Sequence, residues 1–194
     1  MSRPMTETDT QLQRPQRADA RRNRDALVAA AREVFTAEGG SAPLEDVAER
    51  AGVGVGTLYR HFPNRRALLE AVYRDEVEVM ARSADELAEV DPWEALSRWF
   101  HQYVGFAATK RALAEALLET APDSDALVAC RTMLADAGTR LVGRAQEAGA
   151  VRRDVEFVDI GRIVGGIAVS PGADDEQKER MLQLVLDGLR PPRA

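Results

Sequence analysis

Three arginines near the amino end of the chain recur at the spacing of one helical turn. Arg17, Arg21 and Arg24 are three or four residues apart, so a helix would place their guanidinium groups on one face. Guanidinium groups bind phosphate and carboxylate oxygens through paired hydrogen bonds. Further along this face the residues become apolar, as at Val28 and Ala31. One end of this helix is therefore predicted to contact an anion and the other end a protein core.

A second group of polar side chains follows between residues 55 and 62. Leu58 and Phe62 are one helical turn apart and are predicted to face inward. That arrangement leaves the other faces to Thr57, Tyr59 and His61, whose hydroxyl and imidazole groups form hydrogen bonds. A single helix of this kind is narrow enough to enter the major groove of DNA.

Residues for covalent or metal-dependent catalysis are not arranged in any familiar pattern. The chain has one cysteine, Cys130, and two histidines that are far apart in sequence. It also lacks a glycine-rich phosphate loop and a serine or cysteine nucleophile motif. An enzyme is the main alternative from another functional class, and this pattern argues against it. We expect no enzymatic activity, no metal and no cofactor.

Composition and charge further limit the class of protein and the partners that it can bind. The chain has 194 residues, of which 45% are hydrophobic and 30% charged, as in ordinary globular proteins. Residues 1–66 carry a net charge of +2 and residues 67–194 a net charge of −8. A polyanion would therefore meet the amino-terminal third. No apolar run approaches the roughly 20 residues of a membrane span. The amino terminus lacks a secretory signal, which predicts a cytoplasmic protein with no membrane contact.

The apolar residues recur with helical periodicity, and glycine and proline residues interrupt this pattern. Together these features predict an all-α fold with about nine helices. Residues 1–16 are expected to form a disordered arm, residues 17–66 a three-helix domain, and residues 67–194 a second helical domain. In the first domain, Gly39-Gly40 closes the first helix. Pro43 then opens a short helix that Gly52 ends, and a second short helix follows the turn. Two short helices joined by such a turn form a helix-turn-helix.

The second domain is predicted as a series of amphipathic helices. Asn64 is a favourable N-cap for a long connecting helix. Further helices are expected over residues 93–109, 111–120 and 123–148, then from a cap at Asp154, and finally after the turn at Pro171. No alternating pattern typical of strands is present.

The residues around this helix-turn-helix resemble the tetracycline-repressor (TetR) family of bacterial transcriptional regulators. The resemblance is carried by Val47-Ala48, Ala51-Gly52-Val53, Gly56-Thr57-Leu58-Tyr59, His61-Phe62-Pro63 and residues 65–69. The later segments 146–151 and 164–167 are similar to the branch of SbtR-type regulators. By this resemblance the helix beginning near Val55 reads DNA, and Arg65 binds a phosphate. The expected DNA-binding residues are Arg17, Arg21, Arg24, Glu45, Val55, Gly56, Thr57, Tyr59, Arg60, His61 and Arg65.

Three positions depart from the usual pattern of the family and bear on specificity. Gly54 stands where a polar residue is common, Ala42-Pro43 displaces the usual Thr or Ser, and Val55 occupies the variable reading position. Few base-reading donors remain, although Val55 fits a thymine methyl group and Glu45 a cytosine amine. We expect the shape of the DNA to contribute the rest of the specificity.

The resemblance also implies a homodimer on a palindromic operator and a small-molecule effector bound in the second domain. Three candidate effector residues form a stripe on one helix, namely Trp99, Tyr103 and Phe106. His101 lies beside this stripe, and Cys130 and Met133 of a later helix are expected to face the same space. The candidate dimer residues lie on the last two helices: Gly161, Val164, Gly165, Ile167, Met181, Val185 and Leu189. The alternative function is a helical ligand-carrier or protein-interaction module that has lost DNA binding.

Overall fold

The computed structural model describes residues 7–120 and 124–192, and their side chains except those of residues 7–17, 112 and 120. Throughout these ranges the regular structure is helical, which confirms the all-α class. The described helices are α1 (Glu7–Glu38), α2 (Leu44–Arg50), α3 (Val55–His61), α4 (Arg65–Glu86), α5 (Pro92–Thr120), α6 (Asp125–Glu147), α7 (Phe157–Ala168) and α8 (Asp175–Leu189). The chain divides into an amino-terminal unit, Met1–Val72, and a carboxy-terminal unit, Tyr73–Ala194.

The amino-terminal unit is built by α1, α2 and α3, each of which packs against the other two. Leu27 of α1, Val47 of α2 and Leu58 of α3 are fully buried. The connections turn sharply at Gly39 (φ +86°) and Gly52 (φ +68°), a left-handed conformation that favours glycine. Glycine at these positions thus ends α1 and α2 as the sequence predicts.

The amino-terminal unit also includes the first turns of α4. The Asn64 side chain accepts a hydrogen bond from the backbone amide of Ala67 at 2.9 Å, so the predicted N-cap is confirmed. Leu68, Leu69 and Val72 are buried. The boundary between the units therefore falls after residue 72 rather than after residue 66, because these apolar residues of α4 are part of the first unit.

The carboxy-terminal unit is organised around α5, which packs against α6, α7 and α8. Its core contains an aromatic cluster in which the rings of Phe100 and Phe157 are stacked 6.3 Å apart and both contact Trp99. The buried indole of Trp99 donates a hydrogen bond to the carbonyl of Met80 at 3.1 Å. This bond satisfies the indole and ties α5 to the later turns of α4.

Two predicted boundaries are corrected by the helices. Residues 93–109 and 111–120 form one helix, α5, because no proline or glycine interrupts residues 109–111. Residues 7–16, expected within a disordered arm, are helical and belong to α1. Proline has no backbone N–H, so α1 passes through Pro15 with one helical hydrogen bond fewer. Residues 1–6 lie outside the described residues.

The start of α7 also differs from its prediction. Asp154 receives two hydrogen bonds from Arg152, both at 2.6 Å, and the helix begins later, at Phe157. The carboxylate of Asp154 is thus used in a local ion pair rather than as a helix cap. The pKa of Asp154 is lowered to about 2, chiefly by this hydrogen bonding with Arg152.

Candidate nucleic-acid interface and ligand cavity

Helix α3 is anchored on one face and open on the other. Leu58 is fully buried, and Phe62, just past the end of the helix, is 4% exposed. The opposite face presents Val55, Tyr59 and Arg60 to solvent, and Tyr59 is 45% exposed. Among the exposed large hydrophobic side chains of the described residues, Tyr59 is the aromatic one.

The other residues that were predicted to bind DNA differ in how much of their surface is exposed. Arg21, Arg24, Glu45 and Gly56 are exposed. The Arg24 guanidinium lies 5.7 Å from the centre of the Phe62 ring, so a cation–π contact holds the α1 arginine next to the end of α3. The side chain of Arg17 lies outside the described residues.

Thr57 and His61 are half-buried and less available than Tyr59. The Thr57 hydroxyl accepts a long hydrogen bond of 3.5 Å from Nη2 of Arg60. Within the described part of the chain, Nε2 of His61 is buried and has no hydrogen-bond partner. His61 in this orientation therefore cannot offer Nε2 to a phosphate.

Arg65 has a role inside the protein that its sequence position does not reveal. Its Nη1 donates hydrogen bonds to the carbonyls of Gly40 and Ala42, at 3.0 and 2.5 Å. These carbonyls belong to the connection between α1 and α2, and Ala42 is buried. Arg65 thus joins the start of α4 to this connection, so at least one of its guanidinium nitrogens is engaged before any phosphate binds.

A cavity of about 290 Å³ in the carboxy-terminal unit brings together groups from α4, α5, α6 and the residue after α7. Two of the six predicted effector residues, Tyr103 and Phe106, line it. The other lining residues are Tyr73, Ala107, Lys110, Arg111, Ala114, Glu115, Leu134 and Val169. The ring of Tyr103 stacks on Trp99 at 5.5 Å, which fixes Tyr103 at the edge of the aromatic core.

Four predicted effector residues do not line this cavity. Trp99 and Cys130 are buried in the core of the unit. His101 is exposed on another side of α5, where it contacts the Ser97 carbonyl and the Glu179 carboxylate. Met133 lines a separate depression between α4 and α6. The prediction grouped them because they share a helix or are apolar, but their side chains point in different directions.

Four polar lining residues, Tyr73, Lys110, Arg111 and Glu115, were not predicted from the sequence. Lys110 and Arg111 follow Tyr103 and Phe106 at helical spacing, but the predicted helix end at residue 109 separated them. Tyr73 lies on the connecting helix, which was interpreted as a connector only. A continuous α5 would have placed both cations on the stripe of Tyr103.

The outer faces of α7 and α8 carry exposed apolar side chains, but they are not the predicted ones. Val164, Ile167 and Leu189 are buried within the single chain. Gly161 lies against Phe157, and Gly165 lies beside the hydroxyl of Tyr103, so both pack internally. Met181 and Val185 are half-buried. The exposed apolar residues of these helices are Val158, Ile163 and Leu184, at 46%, 54% and 73%.

Neither a bilayer crossing nor a metal cluster is found in the described residues. No helix there is both long and apolar enough to span a membrane. No group of three or more His, Cys, Asp and Glu side chains within the described ranges is arranged to hold a metal ion.

Comparison with known proteins gives matches to both units. Residues 27–72 match the family described as bacterial regulatory proteins, tetR family. Residues 91–191 match the SbtR-like C-terminal domain of transcriptional regulators. One relative, the HTH-type transcriptional regulator SAR0097 of Staphylococcus aureus (strain MRSA252), is 33% identical over 84 residues. That match covers 42% of this chain and 44% of the relative, less than half of its length.

Solved structures match nearly the whole chain. The TetR transcriptional regulator SCO0520 of Streptomyces coelicolor is 41% identical, with a TM-score of 0.72, over 88% of this chain and 99% of that one. A TetR transcription regulatory protein of Mycobacterium vanbaalenii is 36% identical, also with a TM-score of 0.72, over 91% and 100% of the two chains. The chain therefore belongs to the TetR family of transcriptional regulators and has an SbtR-like carboxy-terminal domain.

Proposed function

We propose that this chain is a sequence-specific DNA-binding regulator, most simply a repressor, in which α3 enters the major groove. Members of its family are DNA-binding transcription regulators. The observation that carries the proposal is the division of α3 into a buried face, held by Leu58, and an exposed face with Tyr59 and Arg60. A helix held rigidly on one side and polar on the other suits groove reading.

The proposed DNA contacts divide into two groups. Val55, Gly56 and Tyr59 are proposed to contact base edges and nearby sugar-phosphate groups. Arg21, Arg24 and Arg60 supply exposed positive charge for phosphates. Because the exposed α3 face has few hydrogen-bond donors for bases, deformability of the operator is proposed to contribute to sequence preference.

The proposed assembly is a homodimer on a palindromic operator, since two recognition helices about 34 Å apart match one turn of DNA. The proposed interface is the outer face of α7 and α8, with Val158, Ile163 and Leu184. The exposure of these side chains supports the proposed interface, because large apolar groups in contact with water favour association. Two-fold symmetry would bring the same residues of the partner against them.

The proposed effector site is the cavity that Tyr73, Tyr103 and Phe106 line in the carboxy-terminal unit. Tyr73 is on α4, a helix that begins at Arg65 in the DNA-binding unit. A ligand that prefers one position of α4 would shift the population of conformers toward those whose recognition helices do not fit adjacent grooves. We propose that this shift releases the operator.

The test is enrichment of genomic DNA fragments by the purified protein, compared with Tyr59→Ala and Arg60→Ala variants. Both side chains are exposed, so the variants should fold normally. Arg98→Ala is the matched control, because Arg98 is an exposed arginine of α5 with a carboxylate partner one turn away. We expect the wild type and the control to enrich a common palindrome, and the α3 variants to lose it.

The alternative of a ligand-carrier or interaction module predicts a different result. Its motivation is the small and apolar Gly54-Val55 start of α3 together with the acidic carboxy-terminal unit. If no fragment is enriched and α3 variants behave like wild type, that module is the better description. The family is generally non-enzymatic, and we propose the same for this chain, with residence in the cytoplasm.

A further inference from the structure

The charged groups of the α4–α5–α6 cavity are already neutralised by the protein. Nζ of Lys110 lies 3.1 Å from Oε2 of Glu76, and both side chains are mostly buried. Nε of Arg111 donates to Oε1 of Glu115 at 2.7 Å, and its Nη1 donates to the Val169 carbonyl at 3.3 Å. Each cation therefore has its own carboxylate, and the cavity does not call for an anionic ligand.

The polar groups left without partners are two tyrosine hydroxyls. Tyr73 and Tyr103 line the cavity, and neither hydroxyl forms a hydrogen bond within the part of the chain that the structure describes. Burial raises the pKa of Tyr73 to about 12 and also raises the pKa of Tyr103. Both hydroxyls therefore keep their protons at neutral pH and are available as donors to an acceptor oxygen.

We propose that the effector is a small uncharged molecule with an acceptor oxygen, such as a lactone, ester or ketone, held by the hydroxyls of Tyr73 and Tyr103. This inference rests on the proposed function of the cavity as the effector site. The apolar part of the ligand packs against Phe106 and Leu134. A volume of about 290 Å³ lies just below the roughly 300–1,000 Å³ typical of ligand sites, which limits the ligand to a small molecule.

An anionic ligand is disfavoured by two costs. A carboxylate that approached Lys110 would have to displace or repel Glu76, and one that approached Arg111 would meet Glu115. Breaking the mostly buried Lys110–Glu76 pair leaves a charge uncompensated, which is strongly unfavourable, whereas at the more exposed Arg111–Glu115 pair the cost is the repulsion between carboxylates. A carbonyl oxygen avoids this cost because it needs only the hydroxyl donors.

The experiment uses matched pairs of probes with the full-length protein. The uncharged probes are γ-decalactone, methyl nonanoate and acetophenone, and their charged counterparts are γ-hydroxydecanoate, nonanoate and benzoate. Binding is measured by isothermal titration and by the shift in melting temperature. We expect at least one uncharged probe to bind at least tenfold more tightly than its carboxylate.

Tyrosine variants assign the binding to the cavity. Tyr73→Phe and Tyr103→Phe each remove one hydroxyl and keep the ring, so we expect the favoured probe to bind about tenfold more weakly, the effect of one lost hydrogen bond. Tyr59→Phe is the matched control, because Tyr59 lies on α3 in the other unit. Melting temperatures without probe should agree among the variants.

Three results overturn the inference. The first is that the carboxylates bind as tightly as the uncharged probes, and the second is that no uncharged probe binds. The third is that both tyrosine variants bind the favoured probe as tightly as the wild type does. The proposed release is tested separately by adding each probe to the protein–operator complex. A carboxylate that releases DNA would reject the ligand class but keep the effector site. An uncharged probe that binds through Tyr73 without releasing DNA would exclude only the proposed release of DNA and would leave the proposed ligand class intact.

Discussion

Arg65 uses one guanidinium nitrogen inside the protein, where Nη1 donates to the Gly40 and Ala42 carbonyls. We predict that Arg65→Ala lowers the free energy of unfolding by about 1–3 kcal/mol, because both carbonyls lose a charged donor. Arg65→Lys should recover part of this loss, since lysine keeps the charge but not the planar donor geometry. Urea unfolding measures the free energy of unfolding of the wild type and of both variants.

DNA binding distinguishes this positioning role from a phosphate contact by the same residue. A lost phosphate contact reduces the slope of log affinity against log salt by about one. We expect Arg65→Ala to weaken binding with little change in that slope. Unchanged stability together with a reduced slope would show that Arg65 acts chiefly on phosphate.

His101 provides a pH-dependent contact between α5 and α8, with Nε2 2.9 Å from the Glu179 carboxylate. Burial lowers the pKa of His101, but hydrogen bonds to the Ser97 carbonyl and Glu179 outweigh this effect, so the pKa is raised overall. The protonated form is therefore favoured by folding. The resulting stability is fully present below the unfolded pKa of about 6.5 and is lost as the pH rises through the raised folded value.

The measurement is the difference in melting temperature between wild type and His101→Gln at pH 5.5 and pH 8.5, both chosen as roughly one to two units on either side of the unfolded pKa. We expect wild type to be slightly more stable relative to the variant at the lower pH. The effect should be small because the His101 side chain is 38% exposed. A larger advantage at pH 8.5 would contradict the assigned direction.

At the scale of elements, the contact between α6 and α7 depends on a missing side chain. A Cβ atom on Gly138 would overlap the ring of Phe157, which is part of the aromatic core. We predict that Gly138→Ala lowers the free energy of unfolding by about 1–3 kcal/mol through overpacking.

Gly143 provides the control on the same helix, because a Cβ atom there meets nothing within 4 Å. Gly143→Ala should raise the free energy of unfolding by about 0.5–1 kcal/mol, the helix-interior difference between the two residues. Calorimetry of both variants tests the pair. Equal effects at Gly138 and Gly143 would mean that the tight approach of Phe157 does not exist in solution.

Elements bounded by residues of special geometry were predictable from the sequence. Gly39 and Gly52 adopt the left-handed conformations that end helices, and Asn64 caps α4. The continuity of α5 was missed because Thr109 and Lys110 have no strong preference that decides between a break and a continuing helix. The Thr109 hydroxyl donates to the Gly105 carbonyl one turn earlier on α5, and the ion pair of Lys110 with Glu76 of α4 is a tertiary contact that the local sequence does not reveal.

The candidate surfaces were only partly predictable for a related reason. On α7, Ile163 and Val164 are adjacent and both apolar, yet Ile163 is 54% exposed and Val164 is fully buried. Hydrophobic periodicity identifies a helix that is apolar on more than one face, but packing decides which face meets the core. The exposed face of α3 was easier to predict, because Leu58 and Phe62 are large apolar residues one helical turn apart and so mark the buried face.

At the scale of the whole molecule, we predict that Leu184 contributes to a homodimer interface. Leu184→Glu should convert the protein from twice the 21.2 kDa chain mass to a single chain mass at micromolar concentration, because a buried carboxylate opposes association. Val128→Glu is the control, since Val128 is 53% exposed on α6. Sedimentation equilibrium measures both, and an unaltered mass for Leu184→Glu would exclude this interface.

Charge is distributed unevenly over the chain, with +2 in residues 1–66 and −8 in the remainder. The negative carboxy-terminal unit repels DNA, so any affinity for a duplex has to come from the amino-terminal unit and should depend strongly on salt. The most direct test is the affinity of the full-length protein for its enriched genomic fragment over a series of salt concentrations. We predict a steep linear fall of log affinity with log salt, and a slope about one smaller for Arg60→Ala than for the Arg98→Ala control. A shallow slope that is the same in both variants would contradict DNA binding through α3.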